Sequence, residues 1–219
     1  MREDIITEDA AIREQELLRQ FQADDEVYLT QFAAEYQLVA GKLGAPRLLH
    51  SLGVAQTAAR LAQKYGADDK KAYLAGLCHD IAKELPRDEQ LTLLLRSPLA
   101  GDEDVLAHKV LWHAPAGAVL LGDFAAEYPR LDEEIQQSCL WHTLGKPQMT
   151  VLEQLVFVAD LIEPGRDFPD LAHIRAAAEE SLTAGVAACM YGAIHFLEVQ
   201  QRFIHPLAFQ GYEYYKNLL

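Results

Sequence analysis

The sequence predicts an all-α fold, a bundle of helices joined by short loops. Three observations carry that reading. Apolar residues recur at helical spacing through most of the chain. Pro, Gly and capping residues fall between the periodic stretches at helix-like intervals. No segment shows the strict alternation of a half-buried strand, and no fixed-period repeat is visible. With 219 residues, half of them apolar, the chain is long enough for one domain with a sizeable core.

The first 40 residues stand apart. Ten carboxylates face three arginines there, half of the net charge of −14. Ile12, Leu17, Leu18 and Phe21, then Val27, Leu29, Phe32, Ala33 and Tyr36, still keep a helical pattern. Residues 1–44 are therefore expected to form an acidic helical N-terminal extension, as a solvated lid or a partner-binding arm, ahead of a domain over 45–219.

The domain reads as helix after helix. Pro46 suits a first helical position and Gly66 a stop after Tyr65. Asp68 or Asp69 caps a helix running to about Ala82. Asp88 caps a shorter one through Leu95. Asp102 or Asp104 starts another, expected to bend or break at Pro115. Asp132 opens a segment ending around Thr143-Leu144-Gly145. Thr150-x-x-Glu153 matches a capping box, and Pro164-Gly165 ends that helix. Residues 170–183 and 186–204 give two more, and Pro206 is expected to break the last before an aromatic tail.

Composition excludes several functions. So acidic a chain lacks the clustered Lys and Arg of a nucleic-acid-polymer site. Cys78, Cys139 and Cys189 are scattered among apolar neighbours and read as reduced thiols rather than disulfides or a zinc knuckle. Met1-Arg2-Glu3-Asp4 lacks the basic start of a secretory leader, and no run reaches ~18 uninterrupted apolar residues. The expectation is a cytoplasmic protein with no membrane span.

Against this background the adjacent pair His79-Asp80 is conspicuous. An imidazole and a carboxylate sit together near the end of an apolar run, where an unpartnered carboxylate is costly. His50, His113, His142 and Asp160 lie singly in other apolar segments. Each alone has an ordinary explanation: a satisfied core histidine, a helix end, a C-terminal cap, or an aspartate paired with Arg166 or Lys83. Together they form a mixed nitrogen and oxygen set suited to iron, manganese, cobalt or zinc rather than calcium. Six ligands can hold two metals if Asp80 bridges them. Neighbours on an ideal helix diverge by ~100°, so His79 and Asp80 share a cavity only if the helix frays or bends there. His108, His173, His195 and His205 lack this context.

His50…His79-Asp80…Asp160 resembles the H…HD…D signature of the HD-domain metal-dependent phosphohydrolases. Five blocks in order, around His50, His79-Asp80, His113, His142 and Asp160-x-x-Glu-Pro-Gly-Arg166, resemble the YqeK-type bacterial symmetrical diadenosine tetraphosphate hydrolases. The acidic N-terminal segment is longer than that family's usual lead, and Cys78 stands where it mostly has an aliphatic residue. The resemblance implies an HD-domain helical bundle with a metal site in its core. It implies that His50, His79, Asp80 and Asp160 bind one metal and Asp80, His113 and His142 a second. Iron is implied, with manganese or cobalt as alternatives. Lys83 and Arg166 would approach substrate phosphate, with Asp80 at the catalytic centre and Thr143 and Gly145 lining the pocket. The implied reaction splits diadenosine tetraphosphate into two ADP by a metal-activated hydroxide, and a homodimer is implied as well. Other nucleotide phosphohydrolases of the same fold, a di-iron oxygenase and a non-catalytic nucleotide sensor are the competing readings.

Overall fold

The structure, a computed structural model, describes residues 25–219. Twelve α-helices and one 3-10 turn lie among these residues, and no strand. In chain order they are α1 (Glu26–Gln31), α2 (Ala33–Ala40), α3 (Ala45–Tyr65), α4 (Asp69–Cys78), α5 (Arg87–Leu94), α6 (Glu103–Ala107), the 3-10 turn Lys109–Leu111, α7 (His113–Phe124), α8 (Glu133–Trp141), α9 (Val151–Ile162), α10 (Leu171–Glu180), α11 (Leu182–Val199) and α12 (Pro206–Lys216).

Local signals set most boundaries. Asp68, Asp102, Asp132 and Ser181 each accept a backbone N–H in the first turn of the helix they precede. Thr150 and Glu153 close the expected capping box. α3 starts at Ala45 with Pro46 in its first turn and stops at the left-handed Gly66.

Four expectations need correction. α4 ends at Cys78, not near Ala82, because the chain passes into tight i→i−3 turns: Ile81 donates to the Cys78 carbonyl and Lys83 to that of Asp80. Asp88 lies inside the first turn of α5, and Pro86 occupies the cap. The break before α7 falls around His108, and Pro115 sits inside the first turn of α7, where its missing N–H costs nothing. Pro206 starts α12 rather than ending the preceding helix, which stops at Val199, so the aromatic tail is helical.

Three apolar clusters fill the bundle. One joins α3 (Val54, Leu61) to α9, α10, α11 and Tyr215. A second joins α2, α3, α4 and α8 through Val39, Leu52, Tyr73 and Ile135. The third, with Leu94, Trp112 and Leu140, lies under α5 to α8. α3 and α4 pack so closely that a Cβ on Gly76 would stand 2.8 Å from the Ala55 Cα. The described part of the N-terminal segment packs on this body: Tyr28 stacks on Tyr73 at 4.4 Å, and buried Glu35 pairs with Arg130. The candidate apolar residues Ile12, Leu17, Leu18 and Phe21 lie outside the described residues.

α11 has 18 residues with a mean hydropathy of 1.4, long and apolar enough to cross a membrane by length and composition. Its Val186, Cys189 and Met190 are instead buried in the first core cluster.

Candidate metal centre

Five segments bring six side chains to one place. His50 comes from the second turn of α3, and Asp160 from the last turn of α9. His113 is the first residue of α7. His79 and His142 follow the last residues of α4 and α8. Because α4 ends at Cys78, the chain turns sharply enough for His79 and its neighbour Asp80 to face the same interior. The unwound end is held by Cys139, whose thiol donates to the His79 carbonyl at 3.1 Å. His79, Asp80, His113 and His142 are buried, and His50 is half-buried.

Asp80 is the hub. Its Oδ2 lies 3.6 Å from His79 Nε2 and 4.0 Å from His50 Nε2. Its Oδ1 lies 3.4 Å from both His113 Nε2 and His142 Nε2. Asp160 Oδ1 stands 3.0 Å from His50 Nε2 and 3.9 Å from His79 Nε2. One carboxylate thus presents a different oxygen to each of two histidine groups.

The ring orientations are fixed from behind. His79, His113 and His142 each donate Nδ1–H to a carbonyl three residues back, on Gly76, Val110 and Cys139. A carbonyl can only accept, so Nδ1 carries the proton and Nε2 turns a lone pair inward. Burial lowers the His79 pKa to about 4 and holds His113 well below the ordinary imidazole range, with Lys83 adding to the latter. Burial also opposes the charge on Asp80, but His79, His142 and Lys83 outweigh it and hold the carboxyl well below the usual range. Asp160 is likewise lowered: burial acts against it, and His50, His79 and Arg166 prevail.

Neutral imidazoles and ionised carboxylates are the protonation states that metals bind. His79 Nε2 and Asp80 Oδ1 are buried without a hydrogen-bond partner. Two buried acceptors left over, among four imidazoles and two carboxylates, call for a cation. His50, His79 and Asp80, and separately Asp80, His113 and His142, bring their donor atoms within 4.8 Å of one another. The cluster fits a divalent metal site.

Three cations rim it. Arg47 Nη1 donates to Asp80 Oδ2 at 2.9 Å, Lys83 Nζ lies 3.7 Å from Asp80 Oδ1, and Arg166 pairs with Asp160. Each is about one-third exposed, so each reaches solvent as well as the cluster. Burial lowers the Lys83 pKa against the pull of Asp80. Thr143 Oγ1 stands 3.1 Å from His113 Nε2 and 3.0 Å from His142 Nε2. Thr143 also lines a cavity of about 460 Å³ whose walls include Leu144, Phe157, Met190, Ile194, Arg202 and Phe203. Gly145 closes the turn behind them at φ 63°, pressed against Met190 and Phe157.

A family model described as HD domain matches residues 47–165, which contain all six clustered side chains. The chain belongs to the HD-domain family. The chain is 36% identical over 177 residues to a symmetrical bis(5'-nucleosyl)-tetraphosphatase of Bacillus subtilis, covering 80% of this chain and 92% of that protein. A protein of the same description from Halalkalibacterium halodurans is 37% identical over 170 residues, 78% and 89% of the two chains. A crystal structure from Clostridium acetobutylicum, described as a "predicted HD superfamily hydrolase involved in NAD metabolism", superposes with a TM-score of 0.77 at 31% identity. It covers 86% of this chain and 98% of that one.

The sequence suggests no role for two residues of this HD domain that the structure places at the cluster. Arg47 precedes His50 by three residues and Glu163 follows Asp160 by three, so each lies one helical turn from a clustered side chain. Helical spacing from a candidate ligand was the available signal. His205, by contrast, is buried elsewhere, with Asp102 and Asp104.

Proposed function

We propose that this protein is a metal-dependent hydrolase that splits diadenosine tetraphosphate symmetrically, adding one water to give two ADP. The observation that carries the reading is the Asp80 carboxylate, with one oxygen toward His50 and His79 and the other toward His113 and His142. The substrate comes from the relatives, which are described as symmetrical bis(5'-nucleosyl)-tetraphosphatases.

In this reading His50, His79, Asp80 and Asp160 hold one metal ion and Asp80, His113 and His142 a second. Iron is proposed, with manganese or cobalt as alternatives. Bound metals supply an acidified water near neutral pH and a Lewis-acid clamp on phosphoryl oxygens. The protein's own groups do the rest. Arg47, Lys83 and Arg166 draw the polyphosphate onto the cluster and neutralise charge on the departing ADP. Their partners in the structure are Asp80 and Asp160. The largely apolar cavity beyond Thr143 holds one adenosine, which sets the central anhydride over the cluster. Thr143 orients the entering phosphate, and Gly145 shapes the loop that carries it. Backbone carbonyls behind His79, His113 and His142 keep three lone pairs aimed inward throughout.

Residues 45–219 form the catalytic unit in this reading and residues 1–44 an extension to it. A homodimer is proposed, supported by the apolar area that Tyr191, Phe196, Val199 and Phe209 expose on α11 and α12. The cytoplasm is the proposed compartment, consistent with three buried free cysteines.

Incubating manganese- or iron-loaded protein with diadenosine tetraphosphate and separating the nucleotides tests the activity. ADP as the only product is expected. AMP plus ATP as the only products overturns the symmetrical reaction, and an unchanged rate in Asp80→Ala overturns the site.

A further inference from the structure

Three of the four clustered histidines are oriented by neutral carbonyls; the fourth is not. His50 lies inside α3, where backbone carbonyls one turn back are engaged in the helix. Its Nδ1 meets the carboxylate of Glu163 instead, at 3.1 Å from Oε1. Glu163 is 4% exposed, and its position is built in from several sides. Oε2 accepts the Gly165 N–H at 2.5 Å, and the Glu163 carbonyl accepts from Arg175 Nη2 at 2.9 Å. Two glycines make the space. A Cβ on Gly53 would stand 2.8 Å from Oε2, and one on Gly165 would stand 2.9 Å from it. A full carboxylate has therefore been fitted behind one imidazole of the cluster.

The opposite end has no carboxylate behind its imidazoles. His113 and His142 have only carbonyls behind them, and Lys83 Nζ stands 3.0 Å in front of His113 Nε2. Around the shared Asp80, one end adds Asp160 and Glu163 with Arg47 and Arg166 set against them, while the other adds Lys83 with no further carboxylate.

We propose that Glu163 is a positioning residue that, acting through His50, makes the His50–His79–Asp160 end the tighter of two metal positions. The proposal rests on the two-metal reading above. A carboxylate behind a ligand imidazole fixes the ring and strengthens Nε2 as a donor, and removing such a group typically weakens metal binding about 10- to 100-fold. Lys83 at the other end, with no added carboxylate to offset it, acts in the same direction.

Titrating metal-free protein with Mn2+, and following free Mn2+ by electron paramagnetic resonance, tests it. Wild-type protein is expected to bind two ions in a tight and a weak step. Glu163→Gln keeps an acceptor for His50 but not the charge. It is expected to weaken the tight step by about 10- to 100-fold and leave the weak step within about twofold. Gly53→Ala, which pushes on Oε2 without touching any proposed ligand, is expected to weaken the same step, and it serves alone if Glu163→Gln does not fold. A tight step unchanged in the folded variant, or equal losses at both steps, overturns the proposal. Two equal steps in wild-type protein overturn it and leave the two-metal reading standing. A wild-type protein that binds one Mn2+ or none overturns both.

Discussion

His79 and His205 are both buried histidines close to an aspartate, yet their surroundings differ. His205 uses both ring nitrogens. Nδ1 accepts the Leu207 N–H at the start of α12, and Nε2 faces Asp102 Oδ2 at 3.2 Å. Asp102 in turn caps α6 by accepting from Val105. His79 uses one nitrogen, Nδ1, and leaves Nε2 buried without a hydrogen-bond partner, as is Oδ1 of the neighbouring Asp80. Asp102, Asp104 and His205 bring donor atoms within 4.8 Å of one another, as the Asp80 groups do, so proximity does not separate the two places. Satisfaction does: a closed set of hydrogen bonds is a structural joint, and leftover inward lone pairs leave room for a cation.

Substitutions can break this contrast. Asp80→Ala removes the side chain that turns one oxygen toward His50 and His79 and the other toward His113 and His142. Loss of bound metal and a fall in kcat of more than about 10³-fold are expected, from elemental analysis and steady-state kinetics. Retention of both would place the leftover lone pairs among ordinary packing defects.

The rim cations should give the next largest effect. Lys83→Ala or Arg47→Ala is expected to lower kcat/KM by about 10- to 100-fold at unchanged metal content. Loss of metal without loss of phosphate affinity would assign them to the cluster rather than to substrate.

Acidification separates the two regions by stability. His79 titrates at about 4 when folded, below its ordinary 6.5, and His113 is also depressed. Between those values the unfolded chain binds more protons, so stability falls as pH drops through that window. His50 acts the other way: burial lowers its pKa, but Asp160 and Glu163 outweigh burial and raise it. Asp80 and Asp160, both depressed, keep their contribution until pH falls below the carboxylate range. The net expectation for metal-free protein is a loss of about 1–2 kcal/mol between pH 7 and 5, read as a Tm lower by several degrees. A Tm that rises over that interval would mean that the histidines are not held neutral.

The smallest effect belongs to the closed joint. Asp102→Ala removes a helix cap and the partner of His205. It should cost about 1 kcal/mol, a few degrees of Tm, with metal content unchanged.

Local chemistry explains what the sequence made legible. Asp68, Asp102, Asp132 and Thr150 act on backbone groups within three residues of themselves, so their caps could be read directly. Pro115 and Pro206 were misjudged because proline is as much at home in a first turn as after a last one. Which applies is decided by packing far along the chain. The six clustered side chains stood out as one adjacent polar pair and four single polar residues in apolar segments. Arg47 and Glu163 did not, because a charged residue one turn from a histidine or an aspartate looks like a solvated helix face. Only the packing of the α9 end against α3 shows Glu163 behind His50. The sharp end of α4 was legible as a requirement, since His79 and Asp80 cannot otherwise share a cavity, but its cause is not local. The Cys139 thiol that takes the His79 carbonyl comes from α8, 60 residues away.

The most direct test is anomalous diffraction from crystals of the full chain grown with Mn2+. Two peaks are predicted, one among His50, His79, Asp80 and Asp160 and one among Asp80, His113 and His142, with none at Asp102, Asp104 and His205. An empty cluster, or a peak only at the Asp102 group, would contradict the account.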